Sequence, residues 1–268
     1  MRRIVCVSVA LLALTALASV PGMPRTVSAA STAGPNAYYL ALGDSLAYGD
    51  QPTRDYSHGY ADDIFVTLQP LGTKQLVNMG CPGETSSTFI NGGCPYSNTV
   101  KVAYAASQLT AAISFIRRHR GHVSPVTIDI GANDVFPLIH RSTCWVSTNV
   151  DSALATFDTN FTTILRRLQK ALGGKGDLVT MNMYDPYENQ CANSLTVFQS
   201  FNQHVARDAA RYDVPVADIF GAFGGVTTPN PNICTYTWLC SSSNIHPTTA
   251  GYSVMVNSVE RTLGYRAR

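Results

Sequence analysis

The chain has 268 residues and a formal net charge of +2, with 45% hydrophobic and 13% charged residues. This length is enough for one domain with a full hydrophobic core, and no low-complexity linker or repeat divides it. The nearly balanced charge excludes the strongly basic composition typical of nucleic-acid binding, so we expect no nucleic-acid partner.

The amino-terminal residues have the pattern of a secretory signal peptide. Two arginines precede a continuous apolar stretch over residues 4–20, and Val27-Ser28-Ala29 supplies the small residues of a cleavage site. A membrane anchor is the alternative, but the stretch is short for a bilayer and prolines follow it. We therefore expect residues 1–29 to be removed, leaving a secreted, extracellular protein with a single domain over residues 30–268. No later stretch is long and apolar enough to cross a membrane.

Strands and helices alternate along the rest of the chain. Short apolar runs predict strands over residues 38–43, 75–79, 126–130, 177–183 and 214–218. Apolar residues at helical spacing predict helices over residues 60–68, 107–118, 150–172, 195–212 and 248–263. Residues 81–100 and 219–244 are expected to be loops, Pro215 places the last strand at an edge, and Pro247 suits a first helical turn. This alternation predicts an α/β fold with a five-stranded parallel sheet and helices on both faces.

Three of the predicted strands end on a glycine. The first ends at Gly43 with Ser45 just beyond it, the second at Gly80, and the third at Gly131 with Asn133 beyond it. Because the carboxyl ends of parallel strands meet at one edge, a serine hydroxyl, a backbone N–H and a side-chain amide should converge there. Acyl transfer needs a nucleophile and such donors for its anionic intermediate. Gly-Asp-Ser alone is also ordinary turn chemistry, and it is the coincidence of the strand ends that favours a nucleophile.

A general base is the part still missing, and His246, in the loop that opens the last helix, is the candidate. With it, Gly43-Asp44-Ser45-Leu46, Gly80, Gly131-Ala132-Asn133-Asp134 and His246-Pro247 resemble, in order, the four blocks of the SGNH hydrolase family, also called GDSL esterases and lipases. The resemblance spans nearly the whole mature chain. It implies a three-layer αβα sandwich of flavodoxin-like topology, hydrolysis of carboxylic esters, no metal and no cofactor. It also implies Ser45 as nucleophile, His246 as base, and an oxyanion hole made by the N–H groups of Ser45 and Gly80 and the Asn133 side chain.

One position departs from the family's pattern. Many members carry an aspartate three residues before the histidine, where this chain has Ser243, and the neighbouring Asn244 is not acidic either. A neutral acceptor must then orient the imidazole. A backbone carbonyl can only accept, whereas an amide can also donate and stabilise the wrong tautomer. We therefore expect the main-chain carbonyl near Ser243 to orient His246, as in similar secreted bacterial members that work with a Ser-His dyad.

Six of the seven cysteines lie in the mature part, and an even count in an exported protein indicates disulfides. None has the C-x-x-C spacing of a zinc site. Six cysteines allow fifteen pairings. We expect neighbours along the chain to pair, which gives Cys81 with Cys94, Cys144 with Cys191, and Cys234 with Cys240.

Two other features of the chain can be explained by a structural role as well as by a functional one. His119 and His122 have a spacing that some metal sites use, but the arginines at 117, 118 and 120 would repel a cation, which favours a solvated helix end. Aromatic residues over 89–96 and 223–238 could line an acyl pocket or roof the core.

The sequence thus predicts a monomeric esterase or lipase that acts on small-molecule, lipid or carbohydrate esters through an acyl-enzyme. An acyltransferase of the same fold is the rival within enzymes. A non-catalytic secreted module that binds polysaccharide is the rival from another class. An α/β-hydrolase is disfavoured because the chain has no G-x-S-x-G sequence.

Overall fold

The structure is a computed structural model that describes residues 33–265, so the predicted signal peptide lies outside the described residues. The strands are β1 (Tyr38–Gly43), β2 (Gln75–Asn78), β3 (Val123–Asp129), β4 (Ile139–His140), β5 (Trp145–Val146), β6 (Leu178–Met181) and β7 (Val216–Ala217). The helices are α1 (Ser45–Tyr48), α2 (Tyr60–Leu68), α3 (Ser86–Asn91), α4 (Gln108–Arg118), α5 (Ala132–Val135), α6 (Val150–Leu172), α7 (Ala192–Ala210), α8 (Ile219–Ala222), α9 (Asn232–Tyr236), α10 (Leu239–Ser242) and α11 (Thr249–Leu263).

Five strands form one sheet in the order β2-β1-β3-β6-β7, and every neighbouring pair is parallel. This confirms the predicted α/β fold and its flavodoxin-like strand order. The central strand, β3, is buried along its whole length, as expected for a parallel sheet covered on both faces. β7 lies at an edge, where the missing N–H of Pro215 costs no ladder bond. β4 and β5 form a separate antiparallel pair.

The helices pack in two groups with the sheet between them. α4 and α7 pack against α6 in one group, while α2, α8 and α9 pack against α11 in the other. The long helix α6 buries its apolar stripe, in which the rings of Phe157 and Phe161 stack at 5.0 Å and Phe157 also meets Phe201 at 5.0 Å. Within residues 33–265, no helix combines the length and apolarity needed to span a bilayer.

The predicted long helices and strands are present, and the differences lie in the connections. Residues 81–100 were expected to form a loop but contain α3, which Thr85 and Thr88 cap reciprocally. Residues 219–244 contain α8, α9 and α10. Helices of four to six residues are too short for an apolar repeat to register. Pro247 also lies outside α11, because Thr248 is the N-cap and its Oγ1 accepts from Gly251 N at 3.2 Å.

Three disulfides join the six cysteines, and they are the pairs of neighbours predicted from the sequence. Cys81 bonds to Cys94, Cys144 to Cys191, and Cys234 to Cys240. All three lie in connections that leave the carboxyl ends of sheet strands. They therefore restrain the loops at the edge where the predicted site residues lie.

The junction between β1 and α1 requires a glycine. Gly43 has φ of 133°, and a Cβ there would lie 2.0 Å from the carbonyl oxygen of Asp129. We expect Gly43→Ala to lower the free energy of unfolding by about 2 to 4 kcal/mol, because strain and a backbone clash add. Urea denaturation measures this change.

Gly72→Ala is the matched control, since Gly72 has φ of 104° and nothing within 4 Å of the added Cβ. It should lose only about 1 kcal/mol from backbone strain. Equal losses in the two variants would show that the approach to Asp129 is not the cause.

Candidate active site

A cavity of about 500 Å³ opens at the carboxyl edge of the sheet. Four separate segments line it: Ser45 follows β1, Gly83 follows β2, Asn133 follows β3, and His246 precedes α11. The structure therefore brings together three of the side chains that the sequence singled out. The predicted oxyanion donor Gly80 is not among the residues that line the cavity.

Ser45 is held at the first position of α1, directly after the turn. Asp44 is the N-cap, and its Oδ1 accepts from Leu46 N at 3.0 Å and from Ser45 Oγ at 3.5 Å. Beneath the turn, Asp129 Oδ2 accepts from the N–H groups of Asp44 and Ala47, each at 3.3 Å. Tyr60 donates its hydroxyl to the other oxygen of Asp129. The end of β3 thus anchors the turn that carries the serine.

The two carboxyl groups under Ser45 cannot both ionise freely. Burial raises the pKa of Asp44 to about 6. Burial and the neighbouring charge of Asp44 raise the pKa of Asp129 well above its usual value. Asp44 is therefore mostly ionised only above about pH 6, and Asp129 resists ionisation.

Ionised Asp44 orients the amide of Asn133. Asn133 Nδ2 donates to Asp44 Oδ2 at 3.2 Å and to the Glu84 carbonyl at 3.0 Å. Both partners are acceptors, so the nitrogen and not the oxygen of the amide must face them. A bound anion would have to share or take over one of these hydrogens.

The loop after β2 reaches the cavity three residues later than predicted. Gly80 N donates to Asn78 Oδ1 at 3.0 Å, and Cys81 N donates to the carbonyl of Gly43 at 3.0 Å. The chain therefore still runs beside β1 at these residues and turns into the cavity at Pro82 and Gly83, where Gly83 has φ of 76°. Within the described chain, neither Gly83 N–H nor Ser45 N–H donates to a protein acceptor. The N–H of Gly80, predicted as an oxyanion donor, is thus already bonded within its own loop, and the glycine N–H at the cavity is that of Gly83, which the sequence did not single out.

The side chain of Asn244 holds the imidazole of His246. Asn244 Oδ1 lies 2.8 Å from His246 Nδ1 and accepts from the backbone N–H of His246 at 2.8 Å. Because a backbone N–H can only donate, the amide atom facing it is the oxygen. That oxygen requires a hydrogen on Nδ1, which leaves the lone pair on Nε2.

The carbonyl of Ser243, predicted to orient the histidine, points elsewhere. Ser243 ends α10 with φ of 55°, and its carbonyl accepts from Arg141 Nη1 at 3.5 Å. The correction has a local cause, because an asparagine side chain readily bonds the backbone two residues ahead. The Asn-x-His spacing is the sequence signal that could have identified Asn244.

Opposite forces act on the basicity of His246. Burial lowers the pKa of His246, and the charge of Asp50, whose Oδ2 lies 3.7 Å from Nε2, opposes that shift. The other titratable side chains that line the cavity are Asp44, Tyr48, Tyr56, Tyr96 and Tyr184. Among the described residues, Ser45 Oγ and His246 Nε2 share the cavity without a hydrogen bond between them, a common feature of sites without substrate.

The aromatic loop residues divide between the cavity and the core. Tyr96 lines the cavity and is half exposed, whereas Phe89 and Phe223 are buried. Tyr48 and Tyr56, which the sequence did not single out, form a second aromatic wall with ring centroids 5.0 Å apart. Tyrosine rings and polar side chains therefore both line the cavity.

The only cluster with metal-ligand spacing in the described part of the chain lies beside this cavity. It consists of Cys81, Glu84 and Cys94. The two cysteines form a disulfide, so they offer no thiolate to a metal.

The sequence profile of the GDSL-like lipase/acylhydrolase family matches residues 41–254. The chain belongs to this family. Comparison with curated protein sequences found no match.

Solved structures share the fold at low sequence identity. The acetylxylan esterase Axe2 from Geobacillus stearothermophilus is 16% identical with a TM-score of 0.61, and the match covers 88% of this chain and 99% of Axe2. TesA is 19% identical with a TM-score of 0.53, and the match covers 84% of this chain and 97% of TesA. These similarities show the same α/β fold.

The Asp50 charge can be tested without an activity assay. We expect Asp50→Asn to lower the pKa of His246 further, because the carboxylate no longer stabilises the imidazolium. NMR titration of the His246 ring measures this pKa. Asp151→Asn, the same charge change on exposed α6, should leave it unchanged. An unchanged pKa in Asp50→Asn would show that the carboxylate does not act on the ring.

Proposed function

We propose that the protein is a secreted serine esterase that hydrolyses carboxylic esters through an acyl-enzyme, with Ser45 as nucleophile and His246 as general base. The observation that carries the proposal is the meeting of Ser45, Gly83, Asn133 and His246 in one cavity from four distant segments. A serine, an imidazole and donors for an anion are the parts that acyl transfer needs.

The free lone pair on His246 Nε2 determines where the serine proton goes. His246 Nε2 takes the proton of Ser45 Oγ while that oxygen attacks the ester carbonyl. The imidazolium then protonates the departing alcohol, and an acyl group remains on Ser45. Water attacks this acyl group by the same route and frees the acid. Each step needs Nδ1 to keep its hydrogen, which the contact with Asn244 favours.

Three donors are proposed for the oxyanion. The N–H groups of Ser45 and Gly83 have no acceptor within the described residues, so they can bind an anion without breaking a bond. Asn133 Nδ2 would share a hydrogen that now points to Asp44 or to the Glu84 carbonyl. Losing one such donor typically costs about 10² to 10³ in rate.

The charge balance around His246 differs from that of a triad with an acid. Asn244 is neutral, so it orients the ring without stabilising the imidazolium by its charge. Asp50 supplies a negative charge on the Nε2 side at 3.7 Å. We assign the electrostatic role of the missing aspartate to Asp50 and its orienting role to Asn244.

Two features support export of a single domain over residues 30–268. The apolar leader and its Val27-Ser28-Ala29 cleavage pattern direct secretion. Three disulfides suit an oxidising compartment.

The cavity volume and its tyrosine walls suit a small ester whose acyl or alcohol part is apolar or ring-shaped. Axe2 is an acetylxylan esterase, which makes acetylated carbohydrate a substrate class to test first.

Hydrolysis of p-nitrophenyl esters of graded chain length tests the proposal. Ser45→Ala should lower kcat by at least about 10⁴, because removal of a nucleophile leaves only binding and the oxyanion hole. Ser253→Ala, an exposed serine on α11, is the control and should keep full activity. If the folded wild-type protein hydrolyses no ester of the series, a binding module becomes the better account.

Three variants separate Asn244 from Ser243. Asn244→Ala should lower kcat/KM by about 10² to 10⁴, since the ring can adopt the wrong tautomer. Asn244→Asp should keep substantial activity, because a carboxylate only accepts. Ser243→Ala should keep most activity, because it removes only a hydroxyl and leaves the main-chain carbonyl, which faces Arg141, in place. Kinetics across a pH range measure all three, and a larger loss in Ser243→Ala than in Asn244→Ala would contradict the assignment.

A further inference from the structure

A basic groove runs between α4 and α6, with a volume of about 530 Å³. Five cationic side chains line it, and no acidic residue does. The lining residues are Thr110, Ile113, Ser114, Arg117, Arg118, Arg166, Arg167 and Lys170. A chain with a net charge of only +2 thus concentrates five of its nineteen lysines and arginines in one place.

These five cations are not neutralised by the protein. Within residues 33–265, none of them has a carboxylate within 4 Å or a hydrogen-bond acceptor. Some other cations are paired: Lys101 contacts Asp62, and Arg207 contacts Asp158 and Asp208. Arg166 and Lys170 are also four residues apart on α6, a like-charge spacing that destabilises a helix. The last turns of the two helices favour Arg117, Arg118 and Lys170, but no helix end accounts for Arg166 and Arg167. The concentration of five cations with no carboxylate between them points to an anionic ligand.

The groove is separate from the active-site cavity. α4 begins beside the nucleophile turn, where Gln108 donates to the Gly43 carbonyl at 2.9 Å and accepts from Gly43 N at 2.7 Å. Arg117 and Arg118 lie nine and ten residues further along, roughly 14 Å away at 1.5 Å per residue. A ligand in the groove would therefore leave the cavity open.

The residues that line the groove favour some classes of anionic ligand over others. A membrane surface is disfavoured, because the large exposed hydrophobic residues Val66, Tyr96, Trp145 and Val226 all lie outside it. Single-stranded nucleic acid is disfavoured because no aromatic side chain lines the groove for base stacking. The chain's own residues 1–32 contain no acidic residue and cannot fill it.

We propose that this groove binds a linear acidic polysaccharide through its carboxylate or sulfate groups. The two rows of cations, one on each helix, face a chain laid between them, and the hydroxyls of Thr110 and Ser114 can bond its sugar oxygens. The helix end at 117–118 is then a binding surface and not merely a solvated end. The proposal does not depend on ester hydrolysis.

Heparin serves as the probe, with binding measured by fluorescence anisotropy over a range of salt concentrations. Each cation that contacts a polyanion releases about one counterion, so the slope of log Kd against log salt should be about 5 for the wild type. Arg117→Gln/Arg166→Gln should reduce the slope to about 3 and weaken binding at least about tenfold at low salt.

Lys74→Gln/Arg261→Gln is the matched control, because it removes the same charge from exposed positions outside the groove. It should retain the wild-type slope. Equal losses in the two variants, or no heparin binding by the wild type at low salt, would overturn the proposal. Tighter groove-dependent binding to phosphatidylglycerol vesicles or to a single-stranded oligonucleotide than to heparin would also overturn it.

Discussion

The contact between the end of β1 and the end of β3 is the constraint on which the site depends. Gly43 lies so close to Asp129 that no side chain fits between them, and Asp129 receives two N–H groups of the turn that carries Ser45. This contact fixes the serine at a strand end, where the neighbouring strands also deliver their loops. Burial and the charge of Asp44 raise the pKa of Asp129, so the anchor under the nucleophile resists taking on a second negative charge.

Two different side chains act on the imidazole of His246. A single aspartate can both orient an imidazole and stabilise its cation. Here a neutral amide contacts Nδ1 and a carboxylate lies near Nε2 on the opposite side of the ring. The backbone N–H of His246 donates to Oδ1 of Asn244, so the oxygen of this amide, and not its nitrogen, faces the imidazole. A nearby main-chain donor thus removes the ambiguity that makes asparagine a poor substitute for aspartate.

The unpaired cations between α4 and α6 form a second candidate binding site, on the outer surface of the helices. A fold of this kind needs only the carboxyl edge of its sheet for chemistry, so the outer helix faces are free to bind other molecules. Because the groove and the cavity share no lining residue, one molecule could occupy each. A hydrolase held on an acidic polysaccharide would keep its cavity facing solvent.

The periodic pattern of apolar residues determined the five parallel strands, the long helices and their order, because burial on a sheet face or helix stripe leaves a regular signature. Glycines at strand ends and the blocks around Ser45, Asn133 and His246 were sufficient to predict which side chains share one edge. Only the tertiary structure decided which neighbouring atoms complete the site. Gly83 and not Gly80 lines the cavity because the chain continues beside β1 before it turns, and Asn244 and not Ser243 contacts the imidazole because a left-handed residue turns the Ser243 carbonyl away. Such choices depend on a few ångströms of loop path and on single backbone torsions, and neither leaves a periodic trace in the sequence.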